Sequence, residues 1–343
     1  MKKILITGGA GFIGYFLAEH ILEADSSAEL TLVDNLQRGK MDEDFSELLK
    51  SPRVNPALTG KSGVKFLNLD LTDPESYKQL GNGYEHVYHL AAINGTKIFY
   101  EMPHEVLRIN MLSLIYMLEW FRKENPEGKF CFTSSNEAYA GGLNAFGVLP
   151  IPTPEKVPLV IDDPYNARWS YASTKLVGEL FVIHYAAKYN FRAVIVRPHN
   201  FYGPRAGYGG HVIPDFCERI AAHTDPFPVY GADDTRTFCY ITDAVRAMRM
   251  LMDSSKTDSQ PIETVHIGDT GEILMKDLLE KMFQVVGWHP KALDIKNSPP
   301  GSVKRRLADI SKIKKLIGWK PEISLEDGLK RTYDWYLAHP RNK

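Results

Sequence analysis

The strongest constraint on the fold is a recurrence. Short runs rich in Val, Ile, Leu and Phe, apolar on both alternating faces, are separated by segments of helical periodicity. The runs lie at 4–7, 30–34, 64–68, 86–90, 129–134, 193–197 and 264–267. A strand with one face in water alternates apolar and polar residues. Strands apolar on both faces need cover on both, as in a parallel sheet between two layers of helices. Segments 12–24, 74–80, 105–123, 173–189 and 243–252 have the periodicity to supply those helices. The pattern predicts an α/β chain built on a doubly wound parallel sheet.

The first run ends in Thr7-Gly8-Gly9-Ala10-Gly11-Phe12-Ile13-Gly14, and a helical segment follows directly. Of the glycines at 8, 11 and 14, one allows a tight turn, one lets backbone N–H groups approach a pyrophosphate, and one permits close helix–strand packing. The N-terminus of the following helix offers unpaired N–H groups and its positive dipole end to the anion. Asp34 ends the second run, where a carboxylate accepts hydrogen bonds from a ribose hydroxyl and repels a 2′-phosphate. These features predict a Rossmann-type dinucleotide site that prefers NAD to NADP.

After Arg197 the pattern changes. Residues 198–236 carry many Gly and Pro around one helical stretch, and 271–321 read as helix and loop with little strand. The expected division is 1–197 plus 237–268 as the dinucleotide-binding domain. A smaller, mostly helical and loop substrate lobe would comprise 198–236 plus 269–343. Prolines at 150, 152, 154, 158 and 164 make 142–164 a loop-like insert, because proline opposes both helix and central strand. An insert of that length inside a compact domain is usually functional or disordered.

Composition serves mainly to exclude. A formal net charge of −1 gives no electrostatic case for a nucleic-acid partner. Cys131, Cys217 and Cys239 form no C-x-x-C pair and are odd in number, which fits free thiols in a reducing compartment. The first run begins at once, leaving no room for a cleavable leader, and no apolar stretch approaches the roughly 20 residues that span a bilayer. A soluble, cytoplasmic chain with no membrane partner and no metal is expected.

Tyr171-Ala-Ser-Thr-Lys175 opens a helical segment, and the i, i+4 spacing sets the phenol and the ammonium on one face. A nearby cation favours tyrosinate and is expected to lower the Tyr171 pKa towards the range of a general base. Thr133-Ser134-Ser135 ends the fifth run, and strand C-termini in such sheets point into the ligand crevice. Ser135 could therefore hold the hydroxyl that Tyr171 deprotonates.

With these motifs the chain resembles the extended short-chain dehydrogenase/reductases, in particular the NDP-sugar epimerase/dehydratase family. The resemblance runs over nearly the whole sequence. It includes Asp70-Leu71, His89-Leu-Ala-Ala92, Arg197-Pro-His-Asn-Phe-Tyr-Gly-Pro204 and Val229-Tyr-Gly231. It continues through Arg236, Tyr240-Ile-Thr-Asp243, Leu316-Ile-Gly-Trp-Lys-Pro321 and Leu325-Glu-Asp-Gly-Leu329.

The resemblance implies an enzyme in which Tyr171 takes the sugar O4 proton as the C4 hydride passes to NAD, with Lys175 on the nicotinamide ribose and Ser135 on the hydroxyl. Cofactor contacts are implied for Gly8, Gly11, Phe12, Ile13, Gly14, Asp34, Asn35, Asp70, Leu71, Leu90, Ala91 and Ala92, and for Tyr171 and Lys175 themselves. A nucleotide-diphosphate sugar would meet Asn200, His211, Val212, Tyr230, Arg236 and one of Arg305 and Arg306. A homodimer through helices near 105–123 and 171–189 is the family expectation.

Ser135-Asn136-Glu137 is the most informative variation. Relatives that dehydrate or decarboxylate usually have an acid where Glu137 stands, which implies a part for Glu137 in the step after oxidation. Many sugar dehydratases have an Asp-Glu pair, and Asn136 cannot protonate a leaving hydroxyl. Epimerisation, dehydration and decarboxylation stay open. Two alternatives are an NAD(P)-dependent ketone reductase, which has no use for a diphosphate clamp, and a non-catalytic dinucleotide-binding sensor, which has no use for Ser135, Tyr171 and Lys175 together.

Overall fold

The structure, a computed structural model, describes residues 2–51, 64–145, 149–207, 210–298 and 302–340. Strands β1 (Lys3–Thr7), β2 (Glu29–Asp34), β3 (Lys65–Asn68), β4 (His86–His89), β5 (Lys129–Thr133), β6 (Arg192–Pro198) and β7 (Ile262–Ile267) form one parallel sheet. Their order is 7-6-5-4-1-2-3. The expected both-sided burial is realised residue by residue. Leu5, Val87, Phe130 and Ile195 face one way, onto Leu114, Leu118 and Val182 of helices Pro103–Glu124 and Trp169–Tyr189. Ile6, Tyr88, Cys131 and Val194 face the other, onto Leu17, Ile21, Val245 and Met248 of helices Phe12–Ala24 and Ile241–Asp253. Each such fully buried aliphatic or aromatic side chain contributes about 1.5–3 kcal/mol.

The order in which successive strands are added reverses between β1 and β4, and that switch point opens the crevice in which ligands of such sheets bind. Thr7 ties its two lips together. The Thr7 hydroxyl oxygen accepts from the N–H groups of Leu90 and Ala91, at 3.2 and 3.1 Å.

Outside the sheet, Phe227–Tyr230 pairs in parallel with Leu293–Lys296, and Thr235–Arg236 pairs antiparallel with Ile273–Leu274. Residues from both halves of the expected smaller lobe are thus stitched to one another.

Two local expectations differ. Segment 74–80 forms a 3₁₀ helix, Pro74–Gln79, held by the Tyr77 hydroxyl donating to the Leu71 and Ser113 carbonyls. The expected loop from 142 begins inside a helix, Glu137–Ala145. Gly141 and Gly142 do not break that helix; they let the insert lie against it. A Cβ on Gly141 would stand 2.1 Å from the Val160 carbonyl oxygen. Among the described residues, no helix is long and apolar enough to cross a membrane.

Candidate active site

The glycine turn is built as its spacing requires. Gly8 has φ +70°, in the left-handed region that favours glycine, and a Cβ on Gly14 would lie 2.2 Å from the Gly8 carbonyl oxygen. The helix Phe12–Ala24 begins with no side-chain cap and no acid in its first turn, so its N–H groups stay open to an anion. Asp34 is fixed by accepting from Ala10 N (3.1 Å) and Leu36 N (2.8 Å), and burial pushes its pKa up.

The resulting cleft encloses about 260 Å³. All twelve residues expected at the dinucleotide, from Gly8 to Ala92, line it. These features fit NAD: an anion-ready helix end, a glycine turn, and the Asp34 carboxylate in the wall. Arg38 and Arg205 also line it and were not singled out from sequence. Arg205 reaches back to Asp42 and Asp44, at 2.8 and 3.1 Å, over the Tyr15 ring.

A second cavity of about 380 Å³ adjoins the first, sharing Phe12, Ile13, Leu90, Ala92 and His211 as common wall. Ser135, Glu137, Tyr171 and Lys175 meet here. Tyr171 is stacked on Phe99, ring centres 5.1 Å apart, with Ser135 near enough for its hydroxyl to favour the phenolate. The Lys175 ammonium donates to the Thr133 carbonyl at 2.7 Å.

The expected lowering of the Tyr171 pKa is reversed. Burial, then the Glu137 carboxylate, push the phenol up. Burial also brings Lys175 down to about 7, so the neighbouring cation is itself weakened.

Three guanidinium groups, those of Arg168, Arg236 and Arg306, also line this cavity. Burial alone would raise the Glu137 pKa, but Arg306 and Arg168 hold it below the ordinary carboxylate range. Arg306 Nη1 donates to Glu137 Oε1 at 2.5 Å, and Arg168 approaches the same oxygen at 3.4 Å. Glu137 is therefore ionised and weakly basic. Burial, then the Arg306 charge, bring Arg236 down to about 10, and Asp234 lies 3.5 Å away. Three guanidiniums thus face two carboxylates. The Nε groups of Arg168 and Arg306 and the Asn136 amide nitrogen are buried without a hydrogen-bond partner. Buried donors are nearly always satisfied, so these leave hydrogen-bonding capacity unused in the wall of the cavity.

Asn200, His211, Val212 and Arg236 line the cavity as expected, although the Asn200 amide is spent on the Thr237 carbonyl at 2.8 Å. Of the arginine pair, only Arg306 points in. Arg305 is turned outwards, its Nε 2.7 Å from Glu272, because neighbouring residues on an extended segment face opposite ways. Tyr230 is also outside the cavity, 47% exposed beside Lys296. Arg168 was not assigned a role from sequence. Its place three residues before Tyr171 at the helix start was the available signal.

These features together fit a dinucleotide-dependent enzyme. The family model described as GDP-mannose 4,6 dehydratase matches residues 5–332, and the chain belongs to that family of nucleotide-sugar epimerases, dehydratases and decarboxylases. It is 32% identical to a UDP-N-acetyl-alpha-D-glucosaminuronate decarboxylase of Bacillus cytotoxicus, over 98% of each chain. It is 31% identical to a UDP-glucuronate 4-epimerase of Thermodesulfobacterium geofontis, over 98% of this chain and 96% of that one. A solved UDP-glucose 4-epimerase of Thermotoga maritima, in complex with UDP-glucose, is 26% identical with a TM-score of 0.81, covering 99% of this chain and all of that one.

Proposed function

We propose that the protein decarboxylates a nucleotide-diphosphate uronic acid through a bound 4-keto sugar. The observation that supports this is the convergence of Arg306 and Arg168 beside Ser135 and Tyr171 in the wall of one cavity, where the Nε of each is buried without a hydrogen-bond partner. A neutral hexose brings such a pair only hydroxyls, whereas the C6 carboxylate of a uronate brings the opposite charge. The names of the Bacillus and Thermodesulfobacterium relatives both carry a uronate substrate.

When bound, NAD would be held by the glycine turn, Asp34 and Lys175 and would supply the hydride acceptor and donor for C4. Tyr171 takes the O4 proton, with Ser135 orienting the hydroxyl. The C4 ketone is then β to the C6 carboxylate. The C5–C6 bond breaks, carbon dioxide leaves, and the electron pair passes through C5 to O4 as an enolate. A proton adds at C5, the hydride returns to C4, and Tyr171 gives its proton back to O4.

No base for the C5 proton is needed, which suits a Glu137 held ionised by two arginines. No acid for a leaving 6-hydroxyl is needed either, which suits Asn136. Arg236 and the helix start at His211 and Val212 are the proposed diphosphate clamp. Leu107, Val177 and Leu180, exposed on helices Pro103–Glu124 and Trp169–Tyr189, are the proposed homodimer face, a state that sedimentation velocity reads directly.

A second reading, uronate 4-epimerisation, uses the same carboxylate pocket and the same ketone. Incubation with a panel of UDP-, GDP-, CDP- and dTDP-sugars, uronates included, separates the two by mass spectrometry and NMR. Loss of carbon dioxide from a uronate is expected. Unchanged mass with altered ring couplings gives epimerisation, and loss of water from a neutral sugar overturns both.

A further inference from the structure

The backbone around Arg306 is stitched on both sides. On one, Thr235 N donates to the Lys304 carbonyl at 2.9 Å, and Thr235 bridges Arg305 in parallel. On the other, Thr153 of the proline-rich insert bridges Ala308. Thr153 N donates to the Leu307 carbonyl at 2.8 Å, and Asp309 N returns a bond to the Thr153 carbonyl at 2.9 Å. Arg306 stands between the two bridges, and Thr153 and Ala308 are both fully buried.

The insert is itself anchored at a second point. The Glu155 carboxylate accepts from His266 N at 3.0 Å, and the Glu155 carbonyl accepts from Arg197 at 2.8 Å. Arg197 in turn grips Glu179 with two bonds, at 2.8 and 2.7 Å. Glu179 lies one helical turn beyond Lys175 and also takes the Ser134 hydroxyl. The insert thus spans from the catalytic helix to the arginine that faces the substrate.

We infer that residues 151–157 are a positioning strap for Arg306, setting how well the site takes a sugar carboxylate. The inference rests on the uronate reading of the site. A guanidinium fork reads a carboxylate only when placed to within about 0.5 Å, and Arg306 sits on an irregular segment with no helix or long strand to hold it. The two Thr153 backbone bonds supply that placement from one side. The prolines flanking Thr153 limit the strap's own freedom, so little further order has to be gained when substrate binds.

Thr153→Pro deletes the N–H that Leu307 accepts and is the direct test. The KM for the nucleotide uronate should rise about 10-fold, since a misplacement near 1 Å is enough to cost that or more. Affinities for NAD and for UDP (or the matching nucleoside diphosphate, if the panel shows another base) should stay within about 2-fold, because Thr153 touches neither site. In an Arg306→Ala background the same change should add nothing, and Thr153→Ser, which keeps the N–H and the hydroxyl, should restore the KM. If Thr153→Pro does not fold, Glu155→Ala loosens the strap at its other anchor and should show the same non-additivity.

Full additivity with Arg306→Ala, or an equal loss of uronate, NAD and UDP binding, overturns the strap alone. An Arg306→Ala protein with an unaltered uronate KM instead removes the carboxylate reading, and the strap's role with it.

Discussion

Tyr171→Phe is expected to lower turnover by about 100-fold or more while leaving NAD affinity intact, because proton transfer at O4 is lost and little else. The phenol is stacked on Phe99, and phenylalanine keeps that contact. The buried hydroxyl is raised in pKa by its surroundings in the ligand-free protein, so Tyr171 works only when substrate and cofactor change those surroundings. Lys175 is the group best placed to respond. Burial has brought it down to about 7, and its ammonium is held by one carbonyl, Thr133. Ribose hydroxyls at that ammonium would favour its charged form, and through it the tyrosinate. Single-turnover kinetics with bound NAD measure the loss. A Tyr171→Phe protein of near-normal turnover would remove Tyr171 as the base.

Arg306→Ala is expected to lower kcat/KM for the nucleotide uronate by about 100-fold, as truncating one partner of a buried charged pair costs on the order of 2–5 kcal/mol. Binding of the corresponding neutral nucleotide sugar should change far less. Two effects combine in the loss. The substrate carboxylate forfeits its partner, and Glu137 is left with Arg168 at 3.4 Å as its nearest remaining cation. Arg306→Lys keeps a charge without the planar fork and should recover only part of the affinity. Titration of both nucleotide sugars into wild type and variant measures the difference. Equal losses for the two would mean that Arg306 reads the diphosphate and not the sugar.

What was legible in the sequence is the chemistry that depends on backbone geometry or on spacing along one element. Gly14 is forced by an approach of 2.2 Å that any Cβ would block, and the turn could be read for that reason. Tyr171 and Lys175 share a helix face, so their meeting in one cavity followed from their spacing.

What was not legible depends on segments distant in the chain. Tyr171 is buried under Phe99 from another helix, and no local pattern announces the resulting rise in pKa. Arg305 and Arg306 are adjacent, and only the bridges to Thr235 and Thr153 decide which one faces inward. The prolines of 142–164 correctly argued against regular structure over most of the insert. They could not indicate its partner, because a lone bridge to Ala308 leaves no periodicity to read.

On the proposed reaction, oxidation at C4, loss of C6 and return of the same hydride occur in one site. A uronate substrate deuterated at C4, turned over in ordinary water, tests all three steps together. The predicted product has lost carbon dioxide, keeps the deuterium at C4, and takes a solvent proton at C5. A product of unchanged mass with inverted C4, or one whose C4 label has passed to free NADH, would contradict the account.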